Sequence, residues 1–191
     1  MGLVISEGRL KAVKVGDRVI ECSQAVVAAG IGSRTLAAAG GDRVPLESER
    51  GYTIVIANGA HDLPLPIMPA DGKMVITPMR QGLRISGQVE LASVEATPDW
   101  RRADLLLQFA PRVFRRNKAD LALDQWMGHR PSTPDDLPCI GPARSCAGLF
   151  YGFGHGHSGL TQAPATAKLL AALVAGQQPY CDITPMSAQR F

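Results

Sequence analysis

The sequence predicts a mixed fold of the α+β or α/β class, and three observations carry that expectation. Over residues 3–20 apolar and polar side chains alternate, with turn signals at Glu7-Gly8 and Gly16-Asp17, the period-two signature of short antiparallel strands. Runs rich in β-branched residues recur between turn signals over 49–57, 73–77 and 83–91, which suits an antiparallel sheet. Longer stretches with helical spacing appear after Pro98 and after Gly159.

Taken in order, the N-terminal alternation reads as a meander. Residues 24–30, QAVVAAG, read as a strand buried on both faces. Ser33 stands where an N-cap would open a short helix through Ala39, stopped by Gly40-Gly41. After Pro98, Trp100, Leu105, Leu106, Phe109 and Val113 mark one or two helices, with Pro111 breaking or kinking the run. A proline-rich loop over 130–142 follows, then a strand over 148–153. The glycine cluster GHGHSGLT next opens a long helix to residue 175, which Gly176 is placed to end. The closing segment reads as an irregular tail packed by Tyr180, Ile183, Met186 and Phe191. No internal repeat or linker divides the chain, so the pieces interleave.

With 191 residues, 46% hydrophobic and 19% charged, the chain has the composition of a globular protein and of neither a disordered nor a collagen-like one. No apolar run approaches the ~20 residues of a spanning helix, and the first residues lack the pattern of a secretory signal. A cytoplasmic location is expected, with peripheral attachment at the inner membrane face as the variant. Net charge is +3 and the fifteen arginines are spread along the chain, so no nucleic-acid partner is expected. The local cluster Arg101, Arg102, Arg112, Arg115 and Arg116 reads as a solvated helix face. Cys22, Cys139, Cys146 and Cys181 are widely spaced and read as reduced packing residues.

Two constellations carry chemistry. In the first, glycines at 152, 154, 156 and 159 let a backbone approach a flat ligand without Cβ interference. The free N–H groups of the following helix, around Gly159 to Gln162, would receive an anion or a developing negative oxygen. The alternative is a structural turn before a helix. In the second, Gly128-His129-Arg130-Pro131 runs into Thr133-Pro134-Asp135 and Pro138-Cys139-Ile140-Gly141-Pro142, a stiffened loop that would hold Arg130 as a planar fork for a carboxylate. Alternatively Arg130 pairs with Asp135 or Asp136 and closes the loop. His155-x-His157, with His129, lacks a third ligand at a recognisable spacing, so no metal is expected. Hydrolytic triads and a phosphate-binding Walker sequence are absent from the sequence as well.

The stretches GHRPSTPDDLPCIGP and GLFYGFGHGHSGLTQAPATAKLLAALVAGQQP, with QAVVAAGIGS, ERGYTIVI and GLRISGQVEL upstream, resemble the C-terminal half of the FAD-dependent D-amino-acid dehydrogenase and oxidase superfamily, which includes glycine and sarcosine oxidases. The resemblance implies a partial FAD-binding domain of the glutathione-reductase type, over 1–45 and 128–191, with an antiparallel-sheet substrate domain over 46–127. It implies FAD as cofactor and a D-amino acid or a cyclic imino acid, such as D-proline or hydroxyproline, as substrate, oxidised by hydride transfer to the flavin. Arg130 would grip the substrate carboxylate, with Tyr52 and His157 as candidate cavity residues, although Tyr52 suits a packed sheet position equally. Gly154, His155, Gly156, His157, Ser158, Gly159, Leu160 and Thr161 would face the flavin, and Gly30 the adenosine portion. The family's G-x-G-x-x-G unit is absent, so an N-terminal half or a partner chain would supply the dinucleotide loop. The alternative is a non-catalytic fragment or binding module of the same fold.

Overall fold

The computed structural model describes residues 1–57, 63–113 and 123–191, and for 109–113 and 123 the backbone only. The chain divides into two compact units, Met1–Ser48 with Arg130–Phe191, and Glu49–His129.

The first unit opens with the expected meander, β1 (Gly2–Ser6), β2 (Arg9–Val15) and β3 (Arg18–Glu21), in that spatial order. Its first turn places Glu7 and Gly8 at φ of 53° and 70°, the conformation that matches the right-handed twist of a tight hairpin. β2 buries Leu10 and Ala12, and backbone hydrogen bonds tie it to Ala147. A second sheet has the order β4 (Ala25–Val27), β10 (Leu149–Phe153), β9 (Cys139–Pro142), parallel across the first pair and antiparallel across the second.

One face of this sheet meets α1 (Ser33–Ala39) and the meander through Leu149, Tyr151, Phe153, Leu36 and Leu10. The other meets α3 (Gly159–Val174) through Ile140, Leu169 and Leu170. Gly152 permits that approach, because a Cβ there would sit 2.6 Å from Leu170 Cδ1. Inside the core the Tyr151 hydroxyl donates to Asp42 Oδ2 at 2.8 Å. Burial, then the Asp42 carboxylate, pushes the Tyr151 phenol well above its ordinary value. α3 ends as expected: Gly176 has φ +68°, and the Gly176 and Gln177 N–H groups return to Leu173 and Ala172.

Several expectations are corrected. Burial of β4 is one-sided: Val27 is buried and Val26 is 43% exposed, because the core of this unit packs on one face of the strand. Ser33 lies inside α1, and its Oγ accepts from Ala29 N at 3.0 Å, tying the helix back to the end of β4 instead of capping it. Ile183 and Met186 pack against the α3 side, whereas Tyr180 and Phe191 are exposed. Cys139 and Cys146 are buried, Cys22 is half-buried and Cys181 is exposed.

The 130–142 segment is not all loop. β8 (Leu123–Ser132) carries Arg130, and the irregular part begins at Thr133. Asp135 does not pair with Arg130. Its partner is Arg190, whose Nε and Nη2 approach the two carboxylate oxygens at 2.7 and 3.1 Å. Further bonds run from Arg190 to the carbonyls of Leu137 and Ser187. Arg190 holds the Asp135 carboxyl down from 3.8 to about 2.

The second unit is built on the sheet order β6 (Met74–Met79), β7 (Gly82–Leu91), β5 (Glu47–Ile56), β8, and the unit boundaries fall inside β5 and β8. Tyr52, Ile54, Ile56, Met74, Ile76, Leu83 and Ile85 alternate onto one face and pack against Ala103, Leu106 and Leu107 of α2 (Arg101–Val113). A single helix spans 101–113. Phe109, Pro111, Arg112 and Val113 lie beyond its described side chains, and Arg115 and Arg116 lie outside the described residues. Of the arginine cluster, Arg101 pairs with Asp99 at the surface and Arg102 donates to Val89 O.

Arg50 is fully buried. It faces Glu90 at 3.5 Å and donates to the carbonyls of Ser93, Ala96 and Thr97. One side chain thereby satisfies the turn that follows β7.

Removing one member of a buried ion pair strands the other and typically costs about 3–5 kcal/mol. Arg50→Met is expected to lower the urea-unfolding free energy by that amount, whereas Arg101→Gln, at the surface, leaves the midpoint unchanged. For Asp135 the folded carboxyl is the stronger acid, so the pair's contribution is complete above the ordinary aspartate range and fades as pH falls toward about 2. The gap in urea midpoint between the parent and Arg190→Gln should narrow over that interval.

Candidate functional site

Two segments of the first unit converge. β8 ends at Ser132, and the chain turns through Thr133, whose Oγ1 donates to Leu137 O at 2.8 Å, and Asp136, at φ +58°. Leu137 N donates to Asp135 Oδ1, an Asx-type closure that rigidifies the turn. From the other side β10 ends at Phe153 and passes through Gly154 (φ +82°) and His155 into a 3-10 turn over Gly156–Ser158, which leads into α3.

The approach is close. A Cβ on Gly154 would lie 3.1 Å from Thr133 Cγ2, and one on Gly156 would lie 3.4 Å from Ser132 Oγ. The positive φ at both positions adds a conformational demand that only glycine meets cheaply.

Between the segments lies a cavity of about 210 Å³, walled by Ser132, Thr133, Asp136, the backbone and side chains of 154–158, and Gln162. Its wall contains an orphan: Ser132 is 8% exposed, and its Oγ has no hydrogen-bond partner. A buried hydroxyl in that condition costs free energy until something supplies the partner. The N-terminus of α3 opens beside it with no side-chain cap, so its first-turn N–H groups keep their partial positive charge. His155 Nε2 lies 2.9 Å from Thr166 Oγ1, anchoring the loop to α3. Burial lowers the His155 pKa, which favours the neutral ring.

Of the residues that the sequence singles out, Gly154, His155, Gly156, His157 and Ser158 line the cavity. Gly159, Leu160 and Thr161 begin α3, between the wall residues Ser158 and Gln162, with Leu160 93% exposed. Arg130 is half-buried on β8, two residues before the wall begins at Ser132, and shares with Ser132 one face of the strand by alternation. Gly30 stands apart, exposed past the end of β4 at φ +56° with open space where a Cβ would be.

Tyr52 takes the packed sheet position. It is fully buried on the α2 side of the second unit, donates to Glu90 Oε2 at 2.5 Å, accepts from Asp99 N at 2.9 Å and meets Trp100 edge-on. It is therefore a core residue of the second unit.

Sequence reasoning missed Ser132, Thr133 and Asp136 as walls and Arg190 as the clamp. The first three lie inside the quoted GHRPSTPDD stretch, where attention went to the arginine. Nothing local to Arg190 signals a partner 55 residues away. Among the described residues no group of three or more His, Cys, Asp or Glu is placed to hold a metal ion, and no helix is long and apolar enough to cross a membrane.

The D-amino-acid oxidase of Bradyrhizobium diazoefficiens is 44% identical over 193 residues, covering 100% of this chain and 46% of the relative. The glycine oxidase of Pseudomonas putida is 29% identical over 189 residues, covering 98% and 51%. Among solved structures, an L-amino acid deaminase from Proteus vulgaris aligns with a TM-score of 0.78 at 26% identity, covering 100% of this chain and 48% of the other. The chain thus spans about half the length of the relatives it matches. The family described as FAD dependent oxidoreductase, DAO, matches residues 2–173, a span that contains both converging segments of the cavity, and with it the chain belongs to the DAO family of FAD-dependent oxidoreductases.

Proposed function

We propose that this chain is the flavin-facing and substrate-gripping half of an enzyme that oxidises D-amino acids or cyclic imino acids. The observation that carries the reading is the cavity between Ser132–Asp136 and the glycine turn, with its orphan hydroxyl and uncapped helix N-terminus. Those groups fit the pyrimidine edge of a flavin, which offers carbonyl oxygens to donors and gains negative charge on reduction. The glycines admit a flat ring where a Cβ would intrude. The similarity to a relative named D-amino-acid oxidase supports the D configuration.

In this reading Ser132, the backbone of Gly154–Ser158 and the first turn of α3 hold the flavin, and Gly30 lies toward the adenosine portion. The first unit is then part of a cofactor domain of the glutathione-reductase type, and residues 46–127 are the substrate domain. FAD, when bound, supplies the acceptor for a hydride from the substrate's α-carbon. Arg130 would grip the substrate carboxylate with its planar fork and so orient the Cα–H bond, a proximity effect. A neutral His155 beside the cavity leaves the stabilising positive charge to the helix N-terminus. An N-terminal half or a partner chain would provide the phosphate-binding loop. A cytoplasmic setting suits the four free cysteines.

The test uses the chain joined to the sequence encoded upstream of it, assayed for flavin absorbance and D-amino-acid-dependent dye reduction. Arg130→Gln is expected to raise KM about 30-fold or more, the equivalent of roughly 2 kcal/mol of lost carboxylate binding. A flavin-loaded protein inactive on every D-amino and imino acid would favour the non-catalytic alternative. Ser132→Ala separates a ligand role from a packing role. If Ser132 serves the flavin, FAD binds about 5- to 10-fold more weakly while the unliganded protein melts at the same temperature or higher; unchanged FAD affinity removes Ser132 from the site.

A further inference from the structure

The turn over 133–138, which walls the cavity of the first unit, sits beside two features that cost free energy. One is the buried Ser132 Oγ without a partner, and the other is a non-glycine residue, Asp136, at φ +58°. Such features persist only where the surrounding structure over-determines them. Three bonds close the turn locally: Thr133 Oγ1 to Leu137 O, Leu137 N to Asp135 Oδ1 and Asp136 N to Thr133 O. None of the three reaches beyond it.

Arg190 supplies a hold from outside. Its Nε and Nη2 donate to the two Asp135 oxygens at 2.7 and 3.1 Å, Nη2 donates also to Leu137 O at 2.6 Å, and Nη1 donates to Ser187 O at 3.0 Å. Leu137 O thus accepts from Arg190 and from Thr133 Oγ1 together. Through that shared oxygen the guanidinium reaches a wall residue, whose Cγ2 abuts Gly154 on the opposite side of the cavity.

The arginine is itself firmly seated. Ala188, in the 3-10 turn Ala188–Arg190, is buried in the core of the first unit. The Ser187 hydroxyl caps that turn by accepting from Gln189 N at 3.2 Å, and the Phe191 ring lies 4.3 Å from the guanidinium carbon. The Arg190 side chain is 15% exposed, against 57% for Arg34 and 87% for Arg101, whose open ion pairs contribute little. A planar fork binds a carboxylate and two carbonyls at once in a geometry that a single ammonium does not reproduce.

We propose that Arg190 is a positioning residue for the flavin, holding the 133–138 turn so that the Ser132 hydroxyl stays available to the cofactor at the cavity wall. The inference rests on the flavin reading of that cavity. It gives the segment 187–191, which contributes no residue to the wall, a part in cofactor binding.

Arg190→Lys keeps the charge and removes the fork, and Asp135→Asn removes the charge at the other end while keeping the shape. Each is made alone and together with Ser132→Ala in the chain joined to the sequence encoded upstream of it. The readouts are FAD affinity, the visible absorbance maxima of the bound flavin, and the melting temperature without FAD. Arg190→Lys is expected to weaken FAD about tenfold and to shift the maxima, and Asp135→Asn to weaken it about fivefold. In either background Ser132→Ala then costs less than about twofold more, against about 5- to 10-fold in the parent, because a displaced hydroxyl no longer serves the cofactor. A merely structural role would lower the melting temperature and leave the two effects multiplying. Effects that multiply fully, or FAD affinity unchanged in both Arg190→Lys and Asp135→Asn, overturn the positioning role and leave the flavin reading standing. A parent that binds no FAD overturns both. If Arg190→Lys does not fold, the coupling of Asp135→Asn with Ser132→Ala decides the matter alone.

Discussion

The first unit depends on places where two segments of chain come closer than a methyl group allows. Gly152 lets α3 lie on the sheet, and Gly154 lets the end of β10 meet Thr133. The cavity is the space left after those approaches, so its shape is set by missing side chains as much as by present ones. Positive φ at Gly154 and Gly156 adds a second restriction that also favours glycine. The approach has to be held from the other side as well, and Arg190 does that by binding Asp135 and the Leu137 carbonyl together.

Among the described residues the buried side-chain oxygens are hydrogen-bonded with one exception, while two guanidinium nitrogens, Arg50 Nε and Arg102 Nε, are buried without a partner. Tyr151 is satisfied by Asp42, Tyr52 by Glu90 and Asp99, and the Arg50 guanidinium serves three carbonyls. In each tyrosine burial is the first cause of a raised pKa, with the neighbouring carboxylate adding to it. These pairs fix how turns and strands meet inside each core. Ser132 breaks the pattern at a cavity wall, where an external partner can reach it. The contrast gives that hydroxyl its weight, since the rest of the interior shows how readily this chain satisfies its buried oxygens.

Much of this was legible in the residues, and the gaps have physical reasons. Alternation over 3–20 and the β-branched runs identified strands because a half-buried sheet imposes period two locally. The GHGHSGLT turn was recognisable because positive φ and close approach demand glycine at particular positions. Ser33 misled because a hydroxyl before a helix and a hydroxyl in its first turn look alike in sequence; only the geometry shows that Ser33 reaches back to Ala29. The apolar run 24–30 suggested burial on both faces, but exposure depends on what packs over each face of the strand, a property no local window contains. Arg130 was expected in a loop because the prolines begin next to it, yet β8 continues through Pro131 to Ser132. Tyr52 was undecided because parity along a strand is relative until one residue's side is known.

Gly128 has a wider meaning than its place in β8 suggests. The indole of Trp126 occupies the space a side chain at 128 would need, with ring carbons as near as 2.0 Å to the position of a Cβ. Every single-base change in a glycine codon that encodes another amino acid introduces at least that atom, so no such change leaves the tryptophan undisturbed. Any other residue at 128 therefore requires the Trp126 ring, 57% exposed, to leave its place over the strand.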